Sequence, residues 1–251
     1  MITPPPRPEA RWKRPYWHAS SEKATLLYFV FGHFGGAAPE TDLPTGITAT
    51  HYAHDALKSW DGYPLTGSLG EVLADEAPQT LEAARKTPDV LRIAGTVDDP
   101  ADLDYLRHTL QTIARLFERG AVAVVDPQVS GLYDRATWIR RVAAGSNDTM
   151  RQHFLVLCDN DPDEPERQWV HTRGLRKFAR PDVSVTRVPA SETDRAGAFC
   201  QQMADMLALG GHFAQGQQLP VDGIGVFQAR LGGSADDPRF FNTHVELRWP
   251  V

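Results

Sequence analysis

Apolar positions along the chain fall into short unbroken runs and helically spaced sets. The run at 24–32 (ATLLYFVFG) predicts a buried strand, and the Gly-, Pro- and Thr-rich stretch 35–48 predicts a loop. Short helices are expected over 51–60 and 78–87. Residues 91–95 read as a strand, and Asp98-Asp99-Pro100 reads as a helix start, with acidic capping residues before a proline. Leu103, Leu106, Leu110, Ile113 and Phe117 then recur at helical spacing until Gly120 stops them, and 121–125 is an almost unbroken apolar strand. This is a β-α-β unit.

Asp134 opens a further helix with Trp138, Ile139 and Val142 assigned to one face. Residues 153–158 and 169–171 read as strands joined by the acidic connection 159–166. A strand at 183–188 leads to Ser191, the expected cap of a helix that carries Ala196, Phe199, Met203 and Met206 and ends at Gly210-Gly211. Strands at 224–229 and 244–249 close the chain. Together these predict an α+β fold: a mostly antiparallel sheet with the helices at 99–119 and 191–209 packed on one face. The helix spacing 103, 106, 110, 113 recurs as 196, 199, 203, 206, so an internal β-α duplication with units starting near 91 and 184 is a candidate organisation. Residues 1–20 carry Pro4, Pro5, Pro6, Pro8 and Pro15 with Trp12, Tyr16 and Trp17, which predicts an extended arm laid on a single compact domain over 21–251.

Composition narrows the function classes. A net charge of −6 without a basic stripe argues against a nucleic-acid partner, because phosphate neutralisation supplies most of that affinity. The run at 24–32 is too short to span a bilayer, so no membrane partner is expected. Two cysteines without paired spacing, Cys158 and Cys200, read as buried free thiols and suit a reducing, cytoplasmic compartment.

No phosphate-binding loop, Gly-x-Ser-x-Gly elbow or His-Glu-x-x-His is present, no nucleophile–base–orienter set can be assembled, and no cofactor is expected. Gly223-Ile224-Gly225 lacks the third glycine of a dinucleotide fingerprint and reads as a bend. His51 and His54 would share a helix face, as a metal pair requires, but lack a third ligand. The acidic stretch 159–166 has Glu164 where a calcium loop needs glycine, so it reads as a solvated turn.

The densest chemistry lies between residues 169 and 185, where His171, Thr172, Arg173, Arg176, Lys177, Arg180 and Asp182 gather in an otherwise acidic chain. His171, Arg173, Arg176 and Lys177 are the candidate ligand-binding residues, as donors suited to a phosphate- or carboxylate-bearing ligand. The competing reading is a basic turn whose arginines pair with Asp182, Asp161 and Asp163. His-Thr-x-Gly-Leu followed by Lys-Phe-x-Arg-Pro-Asp, with Asp126-Pro127 after an apolar strand and Asp237-Pro238-Arg239-Phe240-Phe241-Asn242 before the last one, resembles a motif of uncharacterised bacterial domains of unknown function. The resemblance implies an α+β fold and carries over no catalytic residue. Two readings therefore stand: a non-catalytic module that binds a protein partner, or an enzyme or sensor for a small anionic ligand.

Overall fold

The computed structural model describes residues 12–143 and 150–250, the side chains of 142 and 143 aside. Its described strands form two five-stranded sheets and a separate hairpin. The first sheet joins β1 (Lys23–Gly32), β2 (Ile47–Ala53), β3 (Asp89–Asp98), β4 (Ala121–Asp126) and β5 (Gly131–Tyr133) in the order β2-β3-β1-β4-β5, every pair antiparallel. The second joins β6 (Leu155–Asn160), β7 (Gln168–Arg173), β8 (Asp182–Val188), β11 (Arg230–Ser234) and β12 (Asn242–Arg248) in the order β11-β12-β8-β7-β6, with only β12 and β8 parallel. β9 (Gln218–Val221) and β10 (Gly225–Gln228) form the hairpin, and the 223–225 glycines make its turn. The α+β class thus holds, with its strands divided between two sheets.

Strand alternation explains the layering. Leu26, Tyr28 and Val30 of β1 face the main core, while Phe29 and Phe31 face a second core beneath α1 (His54–Leu57), α2 (Gly67–Glu76) and α3 (Pro78–Arg85). The main core continues through α4 (Asp104–Leu116) into the second sheet and its helix α6 (Thr193–Ala208). Leu106, Leu110 and Phe199 are buried in it, and Met203 packs at its margin. The helices at 99–119 and 191–209 therefore cover different sheets. Their connections differ as well: β3-α4-β4 brackets the antiparallel β1, whereas β8 and β12, which flank α6 in sequence, are direct parallel neighbours.

Several local expectations are corrected. Of the helix expected over 51–60 only 54–57 are helical, and 51–53 belong to strand β2, because the β-branched and aromatic set Ile47, Thr48, Thr50 and Tyr52 pairs along β3. His51 then lies on β2 and His54 on α1; His51 bonds Asp89 (2.7 Å), and buried His54 bonds Tyr63 (2.6 Å), so they make no metal pair. Asp98 belongs to β3, and α4 begins only at Asp104, without a side-chain cap at Leu103. Ser191 sits in a short 3-10 turn (Ala190–Glu192) and caps nothing. On α5 (Arg135–Ala143) Trp138 is buried and Ile139 is exposed, since neighbouring residues cannot share a helix face; Val142 lies outside the described side chains. Cys158 is exposed on the edge strand β6, and only Cys200 is buried. No helix among the described residues is long and apolar enough to cross a membrane.

Candidate functional site

The segment from β7 to β8 leaves the second sheet, turns, and re-enters it. Gly174 starts the turn at φ +111°, where a Cβ would meet the His153 carbonyl oxygen at 2.5 Å, so only glycine fits without displacement. A 3-10 turn (Leu175–Phe178) follows, and Ala179 ends it in the left-handed region at φ +52°. This path sends the segment's cations in three directions instead of one.

His171 and Arg173 share a face of β7 by alternation. His171 stacks on Trp169 with ring centroids 3.8 Å apart, and its Nε2 donates to Asp159 at 2.9 Å. Burial lowers its pKa against the pull of Asp159, so the ring is neutral at pH 7 and Nδ1 is an acceptor. Arg173 donates to the carbonyl of Arg239 (2.7 Å), and Arg176 to that of Phe241 (2.9 Å). The two arginines thereby hold down the turn before β12, whose Phe240 covers His171 edge-on. Thr172 points the opposite way and donates to Asp182 (2.9 Å), which also accepts from Asn242 (2.8 Å). Burial pushes the Asp182 carboxyl up to about 6.

Lys177 does not join the other three. It is fully buried, and its Nζ donates to Asp126 at 2.8 Å and to the His153 carbonyl at 3.2 Å. Burial brings its pKa down to about 8, with Asp126 opposing. Around this pair stand Arg141 of α5, His153 just before β6, Tyr133 of β5 and Tyr28 of β1. Arg141 donates to the Tyr133 hydroxyl, lies 4.5 Å above that ring, reaches Asp126 at 3.4 Å and donates to His153 Nδ1 at 3.1 Å. Burial, with Arg141 and Lys177 adding to it, holds the His153 pKa well below its ordinary value. Burial likewise raises Tyr28 well above the usual phenol range and Tyr133 to about 12.

Arg180 takes the third direction. It pairs with Asp99 (2.8 Å) and donates to the carbonyls of His18, Gly210 and Gly211, capping the end of α6. Arg14, from the N-terminal arm, completes that cluster by binding Asp99, the Pro100 carbonyl and the Phe178 carbonyl. Asp161 and Asp163, expected partners of the basic turn, bond elsewhere or only locally: Asp161 accepts the backbone N–H groups of Arg187, Asp163 and Glu164.

Sequence reasoning did not reach Asp126, Arg141, His153, Tyr28 and Tyr133 as a group. The one local signal is a carboxylate closing the unbroken apolar strand 121–125. The described residues enclose at least two cavities. One of about 410 Å³ lies between Glu40, Asp42 and the Arg115 and Arg119 end of α4, and one of about 280 Å³ lies between β6 and the start of α6. Neither is lined by the candidate residues. No cluster of three metal-ligating side chains occurs among the described residues. Comparison of the chain with protein-family models, with curated proteins and with solved structures finds no match.

Proposed function

We propose that this protein is a non-catalytic binding or interaction module, that it acts in the cytoplasm of a bacterial cell, and that it meets a protein partner through the free edge of β11. The carrying observation is a contrast along one sheet. The cations of 173–180 end on acceptors of their own chain, whereas all five residues of β11 are exposed and, among the described residues, no strand lies beside its outer edge. One outward N–H of that edge, at Leu231, is held by the side chain of Gln215 at 2.7 Å, a contact that an incoming strand can replace. Leu231 (45% exposed), Val226 (55%) and Phe241 (56%), on β11, β10 and the turn into β12, supply apolar contacts for such a partner. The acidic charge favours a protein over a nucleic acid. The cytoplasmic setting rests on two free thiols, and the bacterial one on the resemblance of the 171–182 motif.

A small anionic ligand at His171, Arg173, Arg176 and Lys177 is the weaker reading. Lys177 faces the interior, and neutral His171 presents an acceptor where an anion needs a donor. The discriminating measurement is affinity capture from the native host with the wild type and with Leu231→Lys/Phe241→Lys. A partner retained by the wild type should be lost by that variant and held more tightly by Gln215→Ala. Retention unchanged in the Lys variant, or lost instead in a stable Arg173→Ala protein, would overturn the reading.

A further inference from the structure

Residues 33–46, between β1 and β2, form neither helix nor strand. A connection longer than about 12 residues without regular structure is uncommon in a compact domain, and where it is ordered it is usually a functional loop. This one is laid across α4 and tied to it at two places. Asp42 accepts His108 Nε2 on its carboxylate (3.0 Å) and Thr112 Oγ1 on its carbonyl (2.6 Å). Arg119, in the 3-10 turn (Phe117–Arg119) that continues α4, donates to the Glu40 carbonyl (2.6 Å). Thr112, Arg115, Leu116 and Arg119 succeed one another at helical steps, so they share one face, and Arg115 stands on it between the two ties. There loop and helix part and leave the cavity of about 410 Å³, lined by that face and by Glu40, Thr41 and Asp42. Arg115 and Glu40 line it from opposite walls, and among the described residues the guanidinium and the Glu40 carboxylate bond no group, not even each other.

We propose that this cavity binds a small zwitterion, a free α-amino acid or a molecule with the same carboxylate and ammonium pair, its carboxylate on Arg115 and its ammonium on Glu40. The guanidinium fork matches a carboxylate in shape and charge. Two arginines and two carboxylates line the cavity, so a phosphate dianion meets Glu40 and Asp42 and a simple amine meets Arg115 and Arg119. A ligand with both charges is matched at both walls. The volume is that of a site for a small molecule. The site is independent of the β11 edge and of the Arg173 face.

The test is calorimetric titration of the full chain with each of the common α-amino acids in turn, and with acetate and methylamine as carriers of one charge each. At least one amino acid should bind saturably with a Kd below about 1 mM, and at least about tenfold more tightly than acetate or methylamine. Arg115→Gln and Glu40→Gln should each raise that Kd about tenfold or more. Both side chains are exposed, so both variants should melt close to the wild type. Arg173→Ala and Leu231→Lys/Phe241→Lys should leave the Kd unchanged, which separates this site from the other two surfaces. Absence of binding by every amino acid would overturn the proposal. So would binding that survives in Arg115→Gln, or acetate binding as tightly as the best amino acid.

Discussion

Arg14, Asp99 and Arg180 form one buried cluster, and Lys177, Asp126 and Arg141 form another, each with two cations to one carboxylate. In the first, the guanidinium groups fan out onto backbone carbonyls of His18, Pro100, Phe178, Gly210 and Gly211, and one buried nitrogen, Arg14 Nε, lacks a partner. In the second, three donors are left over. The difference follows from what each is built beside. The first lies against the end of a helix and an extended arm, both rich in unpaired carbonyls. The second lies among side chains of β1, β5 and α5, whose backbone groups are already committed to sheet and helix. Equal charge composition therefore leaves one donor over in the first cluster and three in the second.

The sharpest way to break this comparison is to remove each carboxylate. Asp126→Asn should cost about 3–5 kcal/mol, because it leaves two buried cations unbalanced, and Asp99→Asn should cost clearly less, because Arg180 keeps its carbonyl acceptors. Urea titrations that give equal losses would end the distinction.

Titration is the next test. The folded pKa of Lys177 lies below the value of a free lysine, so between about pH 8 and 10 the unfolded chain holds the extra proton. Lys177 should therefore add stability as pH rises across that window, by about 3 kcal/mol at ~1.4 kcal/mol per unit, against an opposing loss from Cys158 and Cys200, whose thiols burial holds above their ordinary range. Denaturant midpoints measured from pH 7 to 10 should climb in the wild type relative to Lys177→Met, the difference between the two being the lysine's share. A rise that survives in Lys177→Met would assign it elsewhere.

Gly174→Ala should cost about 1–3 kcal/mol through a strained backbone and the contact with the His153 carbonyl. It should also weaken the pH dependence, since the turn it distorts aims Lys177 at Asp126. The smallest effect belongs to Arg173→Ala, at most about 1 kcal/mol in thermal melts, with no change in phosphate response. A saturable phosphate response lost in that variant would revive the ligand reading.

The long elements were legible because burial writes itself into spacing: β1, α4, β4 and α6 each carry an unbroken or helically repeated apolar set. The misses have local causes. Gly67 and Gly70 hide α2 in a stretch with turn composition, and Gly232 and Gly233 hide β11. Asp99 has the sequence context of a helix cap, and what diverts it is Arg180, a residue of a distant segment. Of the candidate site, the shared face of His171 and Arg173 follows from alternation alone. The inward turn of Lys177 depends on the left-handed geometry at Gly174 and Ala179, and its partner Asp126 leaves no trace near residue 177.

The arm that carries Arg14 is tied down by backbone bonds at both ends of the chain's history. Leu103 donates to Trp12, while Tyr16 and His18 donate to Leu209 and Gly210. During synthesis β1, β3 and α4 can assemble from the first half of the chain, but the seat of the arm is finished only when the end of α6 has left the ribosome. The arm, among the first described residues to be made, should therefore be seated late, after residues 209 and 210 are available to accept its N–H groups. A fusion that crowds the N-terminus should slow that final step and leave the earlier assembly of the first sheet untouched.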